Sequence, residues 1–413
     1  MNDARWKWSA VMTTTGVRLL LIAAGLGTSV LTVRALGVEG RGVYYGATTV
    51  AGIVAQFSNL GLTSSNTFLA AKSADATQRL LANSVWVAIT CWIAGLLLVG
   101  LGGQGLALLL HLRPRTLMIT ATLAPCILFT TLGSSLLVAH ERFRAVNGWQ
   151  VFNAAAAIIL LLACAWLKLD ATGFLLAITV SAIATASGVW ASLRGNAPMR
   201  WRFNGDLFRE GFSFAARAYV AVLAGFLMQR TGATILLAVG DLHSLGILSI
   251  STQVYDVLMI LPSSMGMVLF PSLIKRQEEA WRATRRALLV TMLLMGLACG
   301  AAWAFGGFLL PLVFGVRFRE SYGPMLALLP AVICMSAVSV VSQYLVFRKF
   351  PTRLVFVWTA GFLITLASAA GLRPWYGVCG VAFAQSIGSL AVLVGVTGLA
   401  VEQVLRDSRS AQK

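Results

Sequence analysis

Acidic residues are scarce in this chain: Asp and Glu together number 14 in 413 residues, His adds three, and charged residues of all kinds make up 11%. A soluble domain carries roughly a quarter charged residues, and with 58% hydrophobic residues and a mean hydropathy of +0.82 this chain cannot cover its apolar side chains in water. C-x-x-C pairs, a P-loop pattern and paired carboxylates at a span entrance are missing as well. The six cysteines, Cys91, Cys126, Cys164, Cys299, Cys334 and Cys379, all fall within apolar runs, where they read as small packing residues uninformative about compartment or metal. His111, His140 and His243 are scattered among different loops. A membrane glycosyltransferase or polymerase would need a loop-borne acidic or histidine site, so the chain is read as something other than an enzyme.

What the sequence does contain is a succession of apolar runs, each long enough to cross a hydrocarbon core of ~30 Å, which takes about 20 helical residues. Only helices or closed barrels satisfy their backbone in lipid, and these runs are read as helices. The expected spans are 11–31, 43–71, 80–101, 116–139, 148–167 and 171–193, then 211–239, 246–274, 287–310, 324–347, 352–371 and 378–400. The expected fold is thus an all-α integral membrane protein of about 12 transmembrane helices. Residues 1–193 form one six-helix bundle, 194–210 a basic, aromatic connector on the inner membrane surface, 211–400 a second bundle, and 401–413 a tail. The run Leu36 to Gly42 enters the second span as Val239 to Gly246 enters the eighth, and Gly42 and Gly246 stand 204 residues apart. An even number of helices per half gives a parallel internal repeat, two bundles flanking a central cleft.

The net charge of +18 invites a nucleic-acid reading, and the placement of the cations argues against it. Lys and Arg crowd the N-terminus, the tail and alternate loops, above all Arg194 to Arg209 and Lys275 to Arg286. The opposite side holds only scattered residues such as Arg34, Arg41, Arg113 and Arg317. By the positive-inside rule both termini are cytoplasmic, with membrane lipids rather than nucleic acid as the partner of the basic side. The run 11–31 exceeds a signal-peptide core and is kept as an uncleaved helix.

Polar residues inside the spans mark the candidate site. Thr49, Gly52, Gln56, Asn59, Thr63 and Asn66 recur every three or four residues and share one helix face. Adding 204 leads to Gln253, Asp256, Ile260, Ser263 and Met267, so part of the stripe is repeated. Ordinary hydrogen bonding between packed helices explains such amides and hydroxyls as readily as a wet cavity does. Charges cost more, ~2.5–3.5 kcal/mol near a helix centre, and four stand there: Arg18, Arg217, Arg230 and Asp256. Arg230 and Asp256 lie ~15–18 Å from the outer end on adjacent antiparallel helices, so they can pair, as a static ion pair or as a coupling switch with Gln253. Arg217 and Arg230 are about 140° apart on a helical wheel, and a straight helix cannot aim both at one cavity. Arg18 stands roughly 13 Å into the first span with no acidic neighbour in that helix, a position suited to a phosphate. The excess of positive charge points to an anionic ligand rather than a cationic drug.

The run Ala35-Leu36-Gly37-Val38-Glu39-Gly40-Arg41-Gly42-Val43-Tyr44, followed by Asn59-Leu60-Gly61-Leu62, resembles the opening of the polysaccharide biosynthesis (oligosaccharide flippase, O-antigen translocase) family of the multidrug/oligosaccharidyl-lipid/polysaccharide (MOP) exporter superfamily. Leu261-Pro262-Ser263-Ser264, Phe270-Pro271-Ser272-Leu273 and Pro311 to Phe318 are similar to later family motifs. The resemblance implies a MATE-like fold and the export of a lipid-linked (polyprenyl pyrophosphate) oligosaccharide from the inner to the outer leaflet. It further implies a cationic cleft and partnership with polysaccharide polymerase or glycosyltransferase machinery. A small-molecule or multidrug exporter of the same superfamily is the alternative. On this reading Arg18, Arg217, Arg230, Gln56 and Asn59 bind substrate, Asp256 and Gln253 couple or pair, no metal or cofactor is expected, and H+ or Na+ is the open choice of coupling ion. Two departures stand out: Gly232 where many relatives have an acidic residue after the seventh-helix arginine, and Val38 in place of a frequent proline.

Overall fold

Long uncharged runs with few helix breakers give long helices, and all the regular structure found is helical. The computed structural model describes residues 2–73, 76–194, 201–265, 269, 280–347 and 352–411. Its helices are α1 (Asn2–Asn59), α2 (Leu62–Lys72), α3 (Ala76–Leu110), α4 (Pro114–Ala139), α5 (Phe143–Trp166), α6 (Ala171–Arg194), α7 (Gly205–Ala238), α8 (Leu242–Leu258), α9 (Ala280–Phe314), α10 (Tyr322–Phe347) and α11 (Arg353–Ala411). A 3-10 turn, Val316–Ser321, leads into α10.

Among the described residues ten helices are long and apolar enough to cross a membrane. Two of them, Leu20–Asn59 with 40 residues and Arg353–Arg406 with 54, are at least twice the ~30 Å requirement. Each is interrupted by one glycine outside helical geometry, Gly37 (φ 68°, ψ −170°) and Gly377 (φ 55°, ψ −133°). The chain reverses at each, and ten helices therefore supply the twelve crossings expected.

Three local expectations are corrected. The loop expected between the first two spans is helical on both sides of Gly37. The second span is not one continuous helix, because Leu60 (φ 50°) and Gly61 (φ 80°) leave helical geometry in its middle. The connector 194–210 becomes helical at Gly205, where Asn204 caps α7: its Oδ1 accepts the Leu207 N–H at 3.0 Å, and Asp206 in the first turn complements the helix dipole. The stretch 195–200 lies outside the described residues.

The chain divides into two compact units, Met1–Tyr219 with Leu237–Leu242, and Val220–Leu236 with His243–Lys413, so the division runs through α7. The core of the first gathers Leu80, Leu81, Phe129, Leu136, Leu137, Val189 and Leu193. Gly188 on α6 receives the ring of Trp149, whose Nε1 donates to Ser192 Oγ at 2.9 Å. Carbonyls left open at the end of α6 accept from Arg142 (Ser192 O, 2.7 Å) and Gln78 (Leu193 O, 3.0 Å). The core of the second holds Met228, Val340, Val341, Tyr344, Val392 and Val396. Here the Ser386 hydroxyl enters the ladder of α10 beside Pro330, accepting from Ala331 N–H at 3.1 Å and donating to Ala327 O at 2.6 Å. The proline ring crowds this turn, and the inserted hydroxyl satisfies the pair that is held apart.

Each unit carries a 35-residue helix, α3 and α9, whose first residues, Ala76 and Ala280, stand 204 positions apart. Both end before a residue of positive φ at the same offset, His111 and Gly315. Both also present exposed apolar faces, including Leu97, Leu98 and Leu101 on α3 and Leu293, Leu297 and Phe308 on α9. In a bilayer acyl chains solvate such faces at no cost.

Candidate functional site

In the first unit the polar stripe meets a break about 16 Å along the helix from Lys72, deep within the expected second span. A break in lipid leaves carbonyls at the end of α1 and N–H groups at the start of α2 without helical partners. The Tyr219 hydroxyl, from α7, donates to the carbonyl of Gln56, four residues before Leu60. Asn59, 7% exposed, spends its side chain locally: Oδ1 accepts the Thr63 N–H at 3.2 Å and Nδ2 donates to Thr63 Oγ1 at 2.9 Å. Gln56 is half-buried. Asn66 is buried and donates to Ser84 Oγ at 3.1 Å. The stripe is thus largely the hydrogen-bonding that a broken helix requires, and Tyr219, absent from the sequence reading, is one of its partners.

Arg41 also departs from expectation. Counted among outer-loop cations, it is 5% exposed inside α1, donating to Thr32 Oγ1 at 2.5 Å and Ser29 Oγ at 3.1 Å, with Tyr44 5.4 Å away under its guanidinium. These bonds reach back across Gly37 and tie the two arms of α1 together. No charge count could place it there, since the bend that folds Ser29 and Thr32 toward Arg41 depends on one glycine dihedral.

In the second unit Arg230 on α7 is half-buried beneath the Phe226 ring, 5.7 Å from its centroid, and within electrostatic reach of the Asp256 carboxylate on α8. Asp256 is exposed, Gln253 is half-buried one turn before it, and Tyr255 beside it is buried. The Tyr255 hydroxyl approaches the Gln385 side chain, short of good hydrogen-bond geometry. The two charges are near enough to interact, and whether they act as a pair is a matter for experiment. Losing one partner strands the other charge in an apolar setting. Asp256→Asn and Arg230→Gln should each lower the melting temperature of the purified protein, and the double variant should recover part of the loss. A coupling of about 0.5–3 kcal/mol is expected for groups in contact, and additive single effects would show that the two do not act as a pair.

The side chains of Arg18 and Arg217 lie outside the described residues, although α1 and α7 carry both positions. Among the described residues no group of three or more His, Cys, Asp or Glu stands close enough to hold a metal ion.

Comparisons with known proteins agree with this architecture. A solved lipid II flippase, MurJ in an inward closed conformation, superposes with a TM-score of 0.81 at 13% identity, covering 93% of this chain and 86% of that one. An inward-facing multidrug resistance MATE family transporter of the MOP superfamily gives 0.73 at 12%, covering 94% and 96%. The eukaryotic MATE transporter AtDTX14 gives 0.59 at 12%, covering 95% and 96%. At these identities the likeness is one of fold, that of the MOP-superfamily membrane transporters. No curated protein sequence matches the chain. Residues 8–277 match the family described as polysaccharide biosynthesis protein, a stretch that includes every candidate residue from Arg18 to Asp256, and the chain belongs to that family.

Proposed function

We propose that this protein flips a lipid-linked oligosaccharide, carried on polyprenyl pyrophosphate, from the cytoplasmic to the outer leaflet of a bacterial inner membrane by alternating access. Both termini face the cytoplasm on this reading, and the product serves polymerase or glycosyltransferase machinery. The family match over residues 8–277 carries the proposal. Sign of charge supports the cargo: Arg18, Arg217 and Arg230 stand in the interior of the apolar spans against one aspartate, and an anionic headgroup is what such a surplus favours. Arg18 and Arg217 meet the phosphates, with Arg230 and Gln56 completing the substrate residues, while Asn59, committed to Thr63, holds the broken helix beside them. Asp256 with Gln253 couples transport to H+ or Na+.

Arg18 tests it. Guanidinium binds phosphate through two parallel hydrogen bonds, which an ammonium cannot reproduce although it keeps the charge. Arg18→Ala should lose most surface-glycan output and Arg18→Lys should keep part of it, with both proteins at wild-type abundance in the membrane. Normal glycan output from well-inserted Arg18→Ala would overturn the assignment. A second reading, export of small molecules, draws on the likeness to the inward-facing MATE transporter. It is distinguished by drug accumulation in cells lacking the protein, with glycan output unchanged.

A further inference from the structure

Residues 201–214 are the end of the connector and the first turns of α7, and the connector end is bound to α3 through the backbone of Trp201 and Asn204. The Asn83 side chain donates to Asn204 O at 2.9 Å and accepts from Asn204 N–H at 2.7 Å, and Trp86 Nε1 donates to Trp201 O at 2.7 Å. One turn earlier Gln78 donates to Arg194 O at 3.2 Å. With these backbone groups taken up by α3, side chains of the strip remain exposed. Trp201 is 56% exposed, Phe203 48%, Phe212 42% and Phe214 55%, and Arg202 and Arg209 are exposed among them. Phe208 braces the row, 5.4 Å from Phe203 and 6.5 Å from Phe212, and Phe214 stacks on Phe68 at 4.5 Å.

Four exposed rings suit neither water nor, with arginines between them, the hydrocarbon interior. The zone that accepts both is the headgroup layer, where rings enter the acyl boundary and guanidinium groups meet phosphates. Lys72, Arg79 and Arg194, exposed at the same end of the unit, add to the positive field, against Asp206 and Glu210 on α7. We infer that this strip is a binding surface for anionic phospholipid headgroups, distinct from the transport site. Its cations are strung out on either side of the Asn204 cap instead of converging on one point, which fits a field of phosphodiesters better than a single pyrophosphate. The inference rests on the orientation proposed above only for the choice of leaflet, and not on the cargo.

The test uses the full-length protein in phosphatidylcholine nanodiscs with added phosphatidylglycerol, one or the other lipid brominated. The Trp201 share of the emission is obtained by subtracting Trp201→Phe, which leaves its backbone bond to Trp86 in place. Brominated phosphatidylglycerol should quench that share more strongly than brominated phosphatidylcholine at low salt. The preference should fall about fivefold for each of Arg202→Gln and Arg209→Gln, shrink in high salt, and survive Arg202→Lys with Arg209→Lys. Equal quenching by the two lipids, or a preference that outlasts removal of both charges, would overturn the inference. So would displacement of phosphatidylglycerol by a few equivalents of polyprenyl pyrophosphate, which would make the strip a substrate site. Loss of glycan transport in Arg18→Ala is a separate result and bears only on the cargo.

Discussion

Gly61→Val should leave little folded protein in the membrane, and Gly61→Ala should already lower stability by about 2–5 kcal/mol. Two costs add. Residue 61 has φ 80°, the left-handed region that costs an L residue with a Cβ roughly 1–2 kcal/mol. A Cβ there would stand 2.8 Å from Ala215 Cβ and 3.1 Å from Tyr219 Cβ, an overpacking worth about 1–3 kcal/mol. α7 closes on the break through a row of residues on one face: Gly211 lies against Ser65 and Leu69, Ala215 and Tyr219 against Gly61. The break cannot be healed by sliding α7 aside without opening the Tyr219 bond to Gln56. Fluorescence-detected gel filtration after heating measures this directly. A Gly61→Ala protein as stable as wild type would mean that Gly61 is not held in this conformation. Tyr219→Phe separates the two contributions: it keeps the ring packing, loses the hydroxyl, and should cost about 1–3 kcal/mol, the desolvation of one buried carbonyl.

Gly388→Ala should be the most damaging small change in the second unit. The two arms of α11 on either side of Gly377 cross at a pair of glycines. A Cβ on Gly388 would overlap the Thr365 hydroxyl and stand 2.8 Å from the carbonyl oxygen of Gly361, while a Cβ on Gly361 would overlap Val392. Close approach through small residues is how helices gain dispersion energy in lipid, where no hydrophobic force drives them together. The Thr365 hydroxyl already bonds Gly361 O at 2.8 Å and cannot swing away freely. The expected loss is about 3 kcal/mol or more, from overpacking and the forced separation of two long helices. Thr365→Ala should recover part of it and leave the remainder set by the Gly361 carbonyl. Thermal unfolding of the two single variants and the double variant reads out that coupling, and simple additivity would show that Thr365 is not the obstacle.

The candidate site was legible where helix geometry alone decides position. Counting 1.5 Å per residue from the outer turn puts Arg230 and Asp256 at one depth on neighbouring helices, and Arg230 does act electrostatically on the Asp256 carboxylate. Periodicity likewise grouped Gln56, Asn59 and Asn66 on one face. Their use was not legible, because a break at Leu60 and Gly61 turns Asn59 inward to Thr63 and hands the Gln56 carbonyl to a tyrosine 163 positions away. An Asn-Leu-Gly-Leu run reads equally well as continuous helix when isolated. What favours the break is the fit of α7 against Gly61, a property of two distant segments together.

By itself the sequence determined that this protein is built of apolar helices long enough for a bilayer, and it pointed to an offset of 204 that α3 and α9 share. Those features follow from hydropathy summed over about 20 residues and from an offset of 204, both readable along one dimension, because bilayer thickness sets helix length whatever the packing. Tertiary structure alone decided that Arg41 is a buried tie within α1, that the second crossing is broken, and that the connector is bound to α3. Each of these depends on a hydrogen bond or a close approach that exists only once helices far apart in the chain have come together, and a one-dimensional pattern holds no term for that.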